Sequence, residues 1–202
     1  MKHFGLIFCI LLYINNISAQ LLSSEALNNE PVYTSLETAM AQPLHVYRLK
    51  LKIRQDSIPA QVFEMKNLQE LTLSKCRLAV VDERIGELTH LQKLNLGSNR
   101  LVRLPESLGK LSELQELIIC RNMIEALPES IGKLTQLTYI DAWENPLYVF
   151  PESIRALQKT LRTIDLRQVA LKNSELDKME LLLPYTDIKI TSTCECNDGR
   201  ED

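Results

Sequence analysis

The sequence lacks the signatures that organise most enzymes: no Gly-rich phosphate loop, no G-x-S-x-G elbow and no H-E-x-x-H. Histidine is scarce. Of the three, His45 and His90 stand well apart with no positioned nucleophile beside either, and both read as surface residues. The net charge of −3 comes with no concentrated basic patch, which argues against nucleic acid or an anionic membrane as the main partner. No long apolar run follows Tyr13, so the remainder of the chain is expected to be free of membrane spans. Cysteine is present, but Cys76, Cys120, Cys194 and Cys196 are not spaced as a disulfide framework.

The one long apolar run lies at the start. Lys2 and His3 make a short polar region, Phe4–Tyr13 is unbroken apolar sequence, and Ile17-Ser18-Ala19 ends in small residues. This is the layout of a Sec-type signal peptide (1–19) cleaved after Ala19. A membrane anchor is the alternative, but the run is shorter than the ~20 residues needed to span, and Asn15 and Asn16 close it. Ile7-Phe8 before Cys9 does not match the small residues of a lipobox. The expected destination is secreted, periplasmic or cell-surface. Losing Lys2 leaves 22 basic against 26 acidic residues, a net −4.

What fills the rest is repetition. Leu91–Glu113 (LQKLNLGSNRLVRLPESLGKLSE) is followed at once by Leu114–Gln136 (LQELIICRNMIEALPESIGKLTQ), two 23-residue lines that agree at a dozen positions. The shared phrase, L-x-x-L-x-L/I-x-x-N and then L-P-E-S-L/I-G-K-L, resembles the leucine-rich repeat of the 23-residue type, as in small secreted bacterial proteins of that family. The resemblance implies an α/β solenoid: an arc with a parallel concave β-sheet and short 3₁₀ or helical segments on the convex side. A leucine-lined interior also suits a chain with only 5% aromatic residues.

In register, the repeats span 46–171 and begin at Val46, Leu68, Leu91, Leu114, Leu137 and Leu161. Positions 1, 4 and 6 are apolar in each, and alternation at 4 and 6 is strand spacing. Position 9 carries Asn99, Asn122 and Asn145, which in the family hydrogen-bond buried backbone in the bend; Cys76 takes that place in the second repeat, and Arg54 and Val169 depart from it. Pro105, Pro128 and Pro151 follow where the sheet has ended, since proline cannot donate to a ladder. Residues 20–33 show no period and read as a flexible leader. Thr34-Ser35-Leu36-Glu37 has capping-box spacing and opens an N-terminal cap helix (34–45) that Pro43 stops. A C-terminal cap (172–193) follows: a helix from Ser174 with Leu176, Met179, Leu182 and Leu183 on one face, then Ile188-Lys189-Ile190 as an edge strand. The end, 194–202, is an acidic tail. Its Cys194-x-Cys196 pair could chelate a soft ion, but a tetrahedral site wants four ligands and no others are near in sequence.

The resemblance places repeat positions 3, 5, 7 and 8 on the concave face, where equal ranks of successive strands stack ~4.8 Å apart. Rank 3 runs Arg48, Glu70, Lys93, Glu116, Tyr139, Thr163; rank 5 runs Lys50, Thr72, Asn95, Ile118, Asp141, Asp165; rank 7 runs Lys52, Ser74, Gly97, Cys120, Trp143, Arg167. The rows describe a face that is basic at Arg48, Lys50 and Lys52 and acidic at Asp141, Glu144 and Asp165. An aromatic and aliphatic cluster lies toward the acidic end, with Gly97 opening a shallow depression beside it. The candidate binding residues are Ile118, Cys120, Tyr139, Asp141, Trp143, Glu144 and Arg167, centred on the only tryptophan. The competing role for Trp143 is to cap the thinner core at Ala142.

The functional expectation is therefore a non-enzymatic, exported module, monomeric, binding a protein or peptide on the concave sheet with no cofactor, no metal and no nucleic acid. The alternative is an intracellular signalling scaffold resembling the Ras-pathway repeat proteins that share the L-P-x-S-I-G-x-L phrase. It requires residues 1–19 not to be a signal.

Overall fold

The computed structural model describes residues 21–191. The expected signal peptide and the acidic tail with Cys194 and Cys196 lie outside the described residues. One eight-stranded sheet, all parallel and in chain order, runs β1 Val32–Tyr33, β2 Arg48–Lys50, β3 Glu70–Thr72, β4 Lys93–Asn95, β5 Glu116–Ile118, β6 Tyr139–Asp141, β7 Thr163–Asp165 and β8 Asp187–Lys189. The register pairs Arg48, Glu70, Lys93, Glu116, Tyr139 and Thr163 in one row and Lys50, Thr72, Asn95, Ile118, Asp141 and Asp165 in another. These are the rows written from the repeat alignment.

Burial explains why the phase is so legible. The residues at positions 1, 4 and 6 of all six repeats, from Val46 to Leu166, are no more than 3% exposed. Fully burying one such side chain is worth about 1.5–3 kcal/mol, so a one-residue slip would turn a strand's whole apolar set outward.

The convex side is built from 3₁₀ segments, Glu83–Glu87, Glu106–Lys110, Glu129–Lys133 and Glu152–Leu157 among them. Their P-E-S-x-G phrase has a mechanical reading. Each glycine lies against the serine of the next repeat: a Cβ added at Gly109 would stand 2.5 Å from the Ser130 Cβ, and one at Gly132 would stand 2.2 Å from the Ser153 carbonyl oxygen. Two of the glutamates reach forward as well. The Glu106 carboxylate accepts from the Glu129 and Ser130 backbone N–H groups, and Glu83 accepts from that of Ser107, so one repeat caps the next. Arg155 replaces the glycine in the last of these segments. Among the described residues no further 3₁₀ segment stacks there; helix α3 (Asn173–Leu182) covers that end, with Lys178 bridging to Glu152 at 2.9 Å.

The position-9 asparagines form the expected ladder. Asn122 Nδ2 donates to the Leu96 and Ile119 carbonyls, and its Oδ1 accepts from the Leu101 N–H; Asn145 repeats this one rung on with Ile119, Ala142 and Ile124. Asn99 serves Leu73, Leu96, Cys76 and Leu78. The Cys76 thiol, at the asparagine's place, donates weakly to the Leu51 carbonyl at 3.4 Å.

Three details of the N-terminal end differ from the sequence reading. The leader is structured: helix α1 (Ser24–Asn29) starts where the Ser23 hydroxyl accepts from the Ala26 N–H, and Leu27 is fully buried. Upstream, the Leu22 backbone both donates to the Gln69 side chain and accepts from that of Gln92, rank-2 residues that are almost wholly buried. A six-residue helix that buries a single leucine leaves no periodicity to detect. The capping box is not formed either, because helix α2 (Leu36–Met40) begins after Ser35, which makes no side-chain cap. Pro43 opens a 3₁₀ turn, Pro43–His45, in place of ending the helix.

At the C-terminal end α3 buries Met179 and Leu182, and Leu183 follows them inward, while Leu176 is half-buried.

Candidate binding surface

The proposed contact residues fall on three neighbouring strands. Ile118 and Asp141 are paired in the sheet, Tyr139 sits between Glu116 and Thr163, and Cys120, Trp143 and Arg167 follow two residues beyond the rank-5 row. The ladder continues past the formal strands, with the Arg121 N–H donating to the Trp143 carbonyl at 2.8 Å and the Glu144 N–H to the Arg167 carbonyl at 3.1 Å.

At position 8 the chain leaves the sheet through a left-handed conformation. Lys75, Ser98, Arg121, Glu144 and Gln168 all have φ between 55° and 58° although none is glycine. A strained state repeated at one rank is imposed by the bend, and it lifts those side chains to the rim of the concave face.

Arg121 is the residue that the sequence reading missed. Its guanidinium lies 4.2 Å from the Trp143 ring centroid, and its Nε donates to Glu144 at 2.8 Å. Trp143 is half-buried beneath this cover, so the ring is held by a cation and is not a bare aromatic knob. Writing out rank 8 as a row beside rank 7 would have placed Arg121 next to Glu144 and across from the indole.

The charge gradient is weaker than the rows suggested. Arg48 is held by Glu70 at 2.7 Å and by the Asn28 and Glu30 carbonyls, and Lys93 is paired with Glu116, which leaves Lys50 and Lys52 as the exposed basic residues of that end. Asp165 is 3% exposed and chelated by Arg167, with Nη2 to Oδ2 at 2.7 Å. Burial alone would raise its pKa, but the hydrogen bonds and charge of Arg167, helped by Lys189, hold it below the ordinary carboxylate value. Asp141 is the carboxylate of this cluster outside every salt bridge among the described residues; its Oδ1 accepts from the Trp143 N–H at 3.2 Å.

The depression expected at Gly97 is filled. A Cβ there would lie 3.1 Å from the Cys120 Sγ, so the thiol occupies the space that glycine vacates. Partial burial, and then the Asp141 charge and hydrogen bond, push the Cys120 thiol up to about 12. It is a packing group. Tyr139 is likewise raised, by burial first and then by Asp141 and Asp165. A separate open hollow of about 420 Å³ lies where Trp143, Arg167, Gln168 and Thr191 meet.

The concave sheet divides into two halves. The arm at 22–30 is bonded to Arg48, Gln69 and Gln92, and a hollow of about 210 Å³ beside it is bordered by Asn28, Arg48, Glu70, Lys93, Glu116 and Ile118. The side chains of β5–β7 lie beyond the residues that the arm touches. Among the described residues no group of His, Cys, Asp and Glu side chains is placed to hold a metal ion, and no helix is long and apolar enough to cross a membrane.

Stacked parallel strands, an asparagine ladder and 3₁₀ segments on the reverse side define a solenoid of the kind used as a protein-binding module. A family model for the leucine-rich repeat region matches residues 56–189, and the chain belongs to that family. Among solved structures, a leucine-rich repeat protein of Leptospira interrogans is similar at 26% identity and a TM-score of 0.59, over 80% of this chain and 54% of that one. The ectodomain of the Arabidopsis thaliana membrane receptor kinase GASSHO1/SCHENGEN3, in complex with CASPARIAN STRIP INTEGRITY FACTOR 2, is similar at 25% identity and 0.56, over 80% and 19%. An internalin of Listeria monocytogenes, at 18% identity and 0.55 over 73% and 42%, shares the fold. The chain thus spans about half the length of the Leptospira protein. No curated protein matches it.

Proposed function

We propose that the chain is an exported, non-enzymatic binding protein that takes a protein or peptide segment across the C-terminal half of its concave sheet. The observation that carries this reading is the cluster on β5–β7: a tryptophan with the Arg121 guanidinium over its ring, flanked by Tyr139, Ile118 and the unbridged Asp141, with Arg167 fixed on Asp165. Half-buried aromatics and arginines already locked in place lose little entropy when a partner arrives, which is the character of binding hot spots. The receptor ectodomain cited above, a relative solved with a bound factor, supports a recognition role.

The geometry also directs the partner. With the arm bonded at the N-terminal end, an extended segment has room over β5–β7 and can carry a basic side chain toward Asp141 between Tyr139 and Trp143. A random-peptide display library panned on the protein tests this. Enriched peptides should slow amide exchange in β5, β6 and β7; protection confined to the convex segments would overturn the assignment. Export is tested separately by N-terminal sequencing, where a mature chain beginning at Gln20 supports it and an intact Met1 contradicts it.

A further inference from the structure

Among the described residues β8 is the outermost strand on the C-terminal side of the sheet. The Asp187 N–H donates to the Arg162 carbonyl and the Leu166 N–H to the Lys189 carbonyl, so Asp187 and Lys189 turn their backbone groups toward β7. Backbone direction alternates along a strand, so the N–H and C=O of Ile188 point outward, and among the described residues no strand pairs with them. Exposed apolar side chains surround this edge: Leu181 is 72% exposed, Tyr185 is 74% and Ile190 is 43%. End caps of solenoids ordinarily present a polar outer face, and this one interrupts its exposed polar residues with these three apolar side chains.

The edge is complementary to itself. An antiparallel two-fold pairing centred on Ile188 makes the two Ile188 residues exchange both backbone hydrogen bonds and sets Asp187 of one copy opposite Lys189 of the other, twice. Both side chains are exposed and neither forms a salt bridge among the described residues. Residue type, backbone direction and charge all agree on that single register. We propose that two copies of the chain associate through β8, joining their sheets into one of sixteen strands and burying Leu181, Tyr185 and Ile190 around the dyad. This departs from the monomer expected of the sequence. It would set the two Trp143 strands roughly 24 Å apart at ordinary strand spacing, giving the concave surface two equivalent sites.

Charge reversal tests the register as well as the association. Sedimentation of the wild-type protein up to on the order of 100 μM, a range suited to a small interface, should give a species of two protomer masses. Asp187→Lys, which sets lysine opposite lysine, should shift dimerisation to at least about tenfold higher concentration, and Lys189→Asp should do the same with two aspartates. The double variant Asp187→Lys/Lys189→Asp restores both pairs and should recover the dimer. Circular dichroism checks that each variant melts as the wild type does. A monomeric wild type overturns the proposal, and so does a dimer indifferent to the single reversals or not recovered by the double one.

Discussion

The asparagine ladder makes an unequal claim on its rungs, and alanine substitution should expose it. At Asn122→Ala the Leu96 carbonyl keeps its bond from Asn99, and the Ile119 carbonyl keeps its bond from Asn145. Only the Leu101 N–H loses its partner. At Asn145→Ala the Ile119 carbonyl is still served by Asn122, but the Ala142 carbonyl and the Ile124 N–H are both left empty, because Val169 at the next rung has no side-chain donor. Both asparagines are buried, at 8% and 4% exposure, so water does not relieve either site equally with the lost amide. An orphaned buried group costs about 1–3 kcal/mol and a shared hydrogen bond about 0.5–1.5 kcal/mol. The interior rung, one orphan and two shared bonds, should therefore cost roughly 2–6 kcal/mol and the end rung about 0.5–1.5 kcal/mol more. The assay is urea unfolding followed by circular dichroism, comparing midpoints at a common slope. If Asn122→Ala proves as damaging as Asn145→Ala or worse, the shared-acceptor account is wrong.

Other expectations follow from the same geometry. Gly132→Ala should destabilise strongly, about 2 kcal/mol or more, since its Cβ meets the backbone of Ser153; Gly97→Ala, whose tight contacts are side-chain atoms, the Cys120 thiol at 3.1 Å and Asn95 Oδ1 at 3.3 Å, should cost less, and thermal unfolding ranks them. Cys120, with its thiol at about 12, should resist alkylation at pH 8, and Asp141→Asn should speed its labelling; site-resolved mass spectrometry reads this apart from other cysteines. Because the Asp165 pKa is depressed on folding, its pair with Arg167 should stabilise at neutral pH and lose that contribution as the pH falls below the ordinary carboxylate value through the depressed one. Asp165→Asn should flatten that acid limb in unfolding midpoints measured against pH.

The architecture was legible because one constraint recurs. A leucine or isoleucine missing from position 4 of any repeat would leave a hole in a continuous column, so the period, the strand register and the asparagine rungs are all printed in the residues. The arm at 22–30 was not legible, since beyond one buried leucine its hold on the domain is backbone, Leu22 bonded to two glutamine side chains and the Asn28 and Glu30 carbonyls to Arg48, and backbone leaves no trace in composition. The surface was half legible. Rank order placed Trp143, Asp141 and Arg167 correctly beside one another, but pairing between ranks decides which charges remain available. Arg48 and Asp165 read as free charges and are both neutralised by neighbours, Glu70 and Arg167. Arg121 escaped notice because the bend, through a left-handed residue, brings position 8 back over position 7.

The central claim is that the face around Trp143 is the binding surface. Equilibrium affinity of one panned peptide for wild type, Trp143→Ala and Lys93→Ala tests it most directly. The tryptophan variant should bind at least about thirtyfold more weakly, the lower bound for a hot-spot residue, while the lysine variant, outside the β5–β7 cluster, binds as the wild type does. The loss of one stacked cation should lower stability by only about 0.5–1 kcal/mol. Equal affinity for all three proteins, or a Trp143→Ala variant that unfolds, would contradict the account and return the ring to a purely structural role.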